Sequence, residues 1–147
     1  MFADLLRLFT GEAETASLDA DDARRAVAAL LVRVARADDE YRQAEIARID
    51  AVLRRRYGLD QSDAVALRKE GETLEAGAAD TVRFTRVIKD AVPFEERDAV
   101  LEAMWSVVLA DGDRDEDENA LLRMTANLLG VNDRDSALAR QRAENAR

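Results

Sequence analysis

Apolar residues recur along almost the whole chain at spacings of three and four, the repeat of one helix face. Phe2, Leu5, Leu6 and Phe9 mark a short amphipathic helix at the N-terminus. Residues 11–20, GEAETASLDA, are small and polar and read as a linker. Val27, Leu30, Leu31 and Val34 form the stripe of a second helix, over about Asp21 to Ala37, which Asp19 or Ser17 can cap. A third, over Gln43 to Tyr57, turns Ile46, Ile49, Leu53 and Tyr57 inward. Arg54, Arg55 and Arg56 followed by Gly58 supply the positive charge and the glycine that end a helix.

Asp60 with Asp63 starts a fourth helix, to about Glu75, whose apolar face is thin and which Gly71 and Gly77 weaken. Phe84, Val87, Ile88 and Ala91 mark a fifth. Pro93 suits the first turn of a helix, with Glu95 and Glu96 beside the positive end of its dipole. The sixth helix carries Leu101, Met104, Trp105 and Val108, and Trp105 reads as core before it reads as a ligand platform. The seventh carries Leu121, Leu122, Thr125, Leu128 and Leu129 and stops at Gly130. Asn132 or Asp133 can cap a last, very polar segment that frays toward AENAR. Strand alternation is absent. The expected fold class is all-α, a compact bundle of about seven to eight helices built on two related helix-turn-helix hairpins. The expected organisation is an N-terminal helix (1–10), a linker (11–20), a helical domain (21–135) and a polar C-terminal tail or frayed helix (136–147).

Composition narrows the chemistry. With 147 residues, 48% of them hydrophobic, the chain can bury the core of one domain. It contains neither cysteine nor histidine. That removes disulfides, thiol nucleophiles, the commonest general base and the commonest metal ligand. A metal site here must be built from oxygen, which suits Ca²⁺, Mg²⁺ or Mn²⁺. Acidic side chains outnumber basic ones 31 to 22, a formal net charge of −9. This opposes nucleic-acid binding, which draws its affinity from phosphate neutralisation, and suits cations or a basic protein surface. No apolar run approaches the roughly 20 residues of a membrane helix. The start, MFADLLRLF, lacks a basic n-region and a cleavage site, so a cytoplasmic protein is expected.

Two turns look alike. The first reads Ala37-Asp38-Asp39-Glu40-Tyr41-Arg42-Gln43-Ala44-Glu45, the second Ala110-Asp111-Gly112-Asp113-Arg114-Asp115-Glu116-Asp117-Glu118. At one constant offset Ala37, Asp38 and Glu45 match Ala110, Asp111 and Glu118, and Glu40 meets Asp113, acid for acid. Each turn follows an apolar helix and precedes another that stops at a glycine. The pattern resembles the tellurite-resistance TerB-like family, marked by an apolar helix ending in Ala-Asp-Gly, an acidic turn and a Glu opening the next helix. Ala110-Asp111-Gly112 to Glu118 matches that motif, and the first copy departs from it at Asp39, where the pattern favours glycine. The resemblance covers residues 20 to 135. It implies an all-helical domain, an association with bacterial responses to tellurite and other stresses, and an acidic metal site, with no known reaction.

The acidic turns have two readings. As a cation site, Asp38, Glu45, Asp111, Asp113 and Glu118 would be the ligands, with Asp39 and Glu40 as second choices; two hairpins side by side would gather carboxylates that repel unless an ion joins them. As helix punctuation, Gly112 would end one helix, and Asp115 with Glu118 would form a capping box worth about 1 kcal/mol. An EF-hand fails, because the loop opened by Asp111 carries Glu116 where glycine is needed and Leu122 where the closing glutamate belongs. The N-terminal helix either docks on the domain, meets a partner or second copy, or inserts shallowly into a membrane; its one cation, Arg7, argues against the last. No phosphate loop, serine elbow or activated lysine is present, so a non-catalytic binding module is expected. The alternative is a metal-free protein-interaction scaffold that uses the N-terminal helix and the acidic face.

Overall fold

The computed structural model describes residues 2–12, 19–37, 40–78, 80–110 and 116–146, and at 81 and 116–118 the backbone alone. Helices account for every regular element among them: α1 (Phe2–Thr10), α2 (Ala20–Ala35), α3 (Gln43–Tyr57), α4 (Gln61–Ala76), α5 (Thr81–Ala91), α6 (Arg97–Val108), α7 (Glu116–Leu128) and α8 (Asp133–Asn145). A 3-10 turn over Phe94–Glu96 leads into α6. Pro93 stands just ahead of that turn and its carbonyl accepts the Glu96 N–H at 2.9 Å, so the proline lies outside the α-helix it precedes.

Local chemistry sets the ends of these helices. Asp19, Asp60, Asp80 and Asn132 are N-caps whose side chains accept the N–H three residues on, as capping requires. Asp22 returns the bond to Asp19, completing a capping box on α2. Gly58 and Gly130 stop α3 and α7 with φ of 65° and 78°, a left-handed turn that glycine adopts without a Cβ clash.

α2 is the axle of the bundle. It packs against α3, α4, α5, α6 and α7, and every residue from Ala26 to Val32 is buried. A one-sided stripe is the sequence expectation, whereas the helix is covered all round because five neighbours surround it. Small residues permit the tightest of these contacts. Gly71 of α4 lies against the Ala28 and Ala29 backbone, which explains a glycine in mid-helix. α1 docks on α4 and α5, burying Leu5, Leu8 and Phe9, and the Phe9 ring stands 5.0 Å from that of Phe84. The C-terminal segment is helical through Asn145 and lies along α6, where Ala139 and Ala143 are buried. Among the described residues no helix is long and apolar enough to cross a membrane.

Candidate functional site

The first acidic turn leaves α2 through Arg36 and Ala37, whose N–H groups bond back to the Val32 and Val34 carbonyls. Asp38 and Asp39 lie outside the described residues. Glu40 is exposed and ion-paired with Arg42. Glu45 is 1% exposed, in the first turn of α3, and accepts the Arg42 N–H at 3.3 Å. Its charge sits at the positive end of the helix dipole. So Glu45, chosen from sequence as a ligand, holds a structural post at the helix start.

Behind this turn runs an ionic chain that sequence reasoning missed. The Tyr41 hydroxyl donates to Glu72 Oε2 at 2.7 Å, and the same oxygen accepts Arg68 Nη1 at 2.9 Å. Arg68 Nε donates to Asp50 Oδ1 at 2.6 Å, and Asp50 is 6% exposed. Burial, reinforced by the hydrogen bond to Glu72, pushes the Tyr41 phenol well above its ordinary range. For Arg68, burial works toward release of the proton, but the hydrogen bonds it donates to Asp50 and Glu72 outweigh burial and raise its pKa. One signal was available: Asp50 interrupts the stripe Ile46, Ile49, Leu53 at an inward position, which demands a buried partner.

The second turn leaves α6 through Leu109 and Ala110, whose N–H groups bond to the Trp105 and Val107 carbonyls. Asp111, Gly112, Asp113 and Asp115 lie outside the described residues, and Glu118 is described by backbone alone, in the first turn of α7. Of the five proposed ligands the structure therefore describes the side chain of Glu45 alone. Among the described residues no three acidic side chains form a group fit to hold a metal.

The flanks of the two turns meet. A hollow of ≈ 400 Å³ is lined by Arg33, Arg36 and Ala37 at the end of α2, Glu75 of α4, and Ala120, Leu121 and Met124 of α7. Ala37 directly precedes the first acidic turn, and Ala120 follows Glu118 by two positions. Glu75 lies between Arg33 and Arg36, 3.5 and 3.4 Å away, so one carboxylate is shared by two cations and these three side chains sum to one positive charge.

Neither the curated proteins nor the solved structures contain a match to this chain. A protein-family model does: that of tellurite resistance protein TerB, over residues 24–141. The match spans α2 to α8 and takes in both hairpins, and with it the all-helical architecture places the chain in the TerB family.

Proposed function

We propose that this chain is a non-catalytic accessory module of a bacterial, cytoplasmic tellurite- or stress-resistance response, and that it binds a divalent cation. The ligands are Asp38, Glu45, Asp111, Asp113 and Glu118, and the ion is one that oxygen donors suit: Ca²⁺, Mg²⁺ or Mn²⁺. What supports the reading is the shared hollow, since residues flanking both acidic turns line it. In this reading Glu45 keeps its bond to the Arg42 N–H and meets the ion as well.

The test is thermal unfolding of EDTA-treated protein titrated with each ion. An ion that binds the folded form alone adds roughly 2.7 kcal/mol at about 100 times its Kd. A saturable rise in Tm that Asp111→Asn with Glu118→Gln removes is the expected result. No rise with any ion at millimolar concentration overturns the cation reading.

A second reading has its own support. Glu45 caps α3, as the punctuation account of the turns requires, and the acidic end would then meet a basic protein partner or a second copy without metal. The N-terminal helix is a poor docking element in that case, because Leu5, Leu8 and Phe9 are spent in the core. Ion-independent capture of a basic partner by the intact chain is its expected result.

A further inference from the structure

A second hollow lies away from the acidic turns, between α6, α7 and α8. It measures ≈ 410 Å³ and is lined by Trp105, Asn119, Arg123, Asp133, Ser136 and Arg140, among others. That volume falls within the range of small-molecule sites.

Its walls hold polar groups that the protein leaves unused. Trp105 is 6% exposed and its indole Nε1 is buried with no hydrogen-bond partner among the described residues. The buried Oδ1 of Asn119 is in the same position. Such groups normally find partners, and each left without one costs about 1–3 kcal/mol. One is a donor and the other an acceptor.

The charges on the walls repeat that duality. Arg140 is committed, paired with Glu144 at 2.9 Å and stacked 5.2 Å over the Trp105 ring. Arg123 and Asp133 make no ion pair among the described residues, so one free cation and one free anion face the same space. A simple anion would meet Asp133 and a simple cation would meet Arg123 and Arg140. A ligand carrying both charges satisfies both walls.

We propose that this hollow binds a small zwitterion of the α-amino-acid class. Its carboxylate meets the Arg123 guanidinium and its ammonium meets Asp133, in a hollow that Trp105 and Asn119 also line. The site is distinct from the acidic turns and does not depend on the cation reading.

Trp105 is the one tryptophan of the chain, so its fluorescence reports on this hollow alone. The full chain is titrated with each of the protein L-amino acids, those that absorb or emit with indole being read by thermal shift, up to ~10 mM, above the Kd of even a weak metabolite site. Acetate and methylammonium are the single-charge controls. At least one amino acid is expected to change the emission saturably and raise Tm, with neither control doing so. Arg123→Gln and Asp133→Asn, both at exposed positions, are each expected to weaken it at least ten-fold while keeping the wild-type circular dichroism. Ala137→Phe, on the wall of the hollow, is expected to abolish it. Three outcomes overturn the proposal: no saturable change with any amino acid, an equal change with acetate, or binding that survives both charge variants.

Discussion

Gly71→Ala separates helix propensity from packing in a single methyl group. Gly71 is buried in the body of α4, where alanine would favour the helix by about 1 kcal/mol. An alanine Cβ there would lie 2.7 Å from the Ala28 carbonyl carbon, 2.8 Å from Ala28 Cβ and 2.8 Å from Ala29 N. Non-bonded carbon atoms prefer about 3.5–4.0 Å, so α2 and α4 would have to separate by roughly 1 Å. Two of the three opposing atoms are backbone of the central helix and cannot swing aside. Overpacking of this kind costs about 3 kcal/mol at the upper end of its usual range. The net expectation is a loss of about 2 kcal/mol, or about 5–8 °C in Tm for a domain of this size. Gly77→Ala is the control. Its φ is −88°, and the nearest side-chain atoms to its Cβ, on Leu6 and Thr10, lie at an ordinary 3.5 Å. It should stay within about 0.5 kcal/mol of wild type. Urea titration followed by circular dichroism gives both values. If Gly71→Ala matches or exceeds wild type, the close α2–α4 approach is not what holds a glycine there.

Arg97 donates to the Lys89, Val92 and Leu129 carbonyls at 3.0, 3.2 and 3.0 Å, tying down the exits of α5 and α7. Arg97→Ala should therefore lower urea stability by about 2 kcal/mol, and Arg97→Lys should recover part of it because an ammonium lacks the guanidinium fork; an unchanged midpoint in the alanine variant would show that water replaces these bonds without loss. Arg68→Met leaves Asp50 buried without its partner and should cost about 3 kcal/mol, most of it regained in the double variant Asp50→Leu with Arg68→Met; equal stability of the two would mean the pair is screened. Tyr41 and Tyr57 both have raised pKa values, mainly through burial, so below about pH 10 both states keep these protons, whereas above it the unfolded chain loses them first and stability falls as pH rises. In urea midpoints taken from pH 9 to 11, Tyr41→Phe should flatten that fall, and an unaltered slope would dissociate it from Tyr41.

What was legible in the sequence is what neighbours along the chain decide. α3 begins at Gln43 and ends at Tyr57, its expected bounds, because a run of arginines and a left-handed glycine act within one helical turn. The caps at Asp19, Asp60 and Asn132 are local in the same sense, each bonding three residues on. The paired turns and the family they mark were legible as a repeat. The tertiary structure decided everything that depends on which residue stands across a gap. Gly71 weakens a helix in isolation and becomes a requirement once Ala28 lies against it. Asp50 and Arg68 are charges on separate helices until packing places them 2.6 Å apart. Trp105 is core by its period, yet the polar hollow beside it exists because α7 and α8 bring Asn119, Arg123 and Asp133 to one place. Periodicity tells a residue which way to face, and only the fold supplies what it faces.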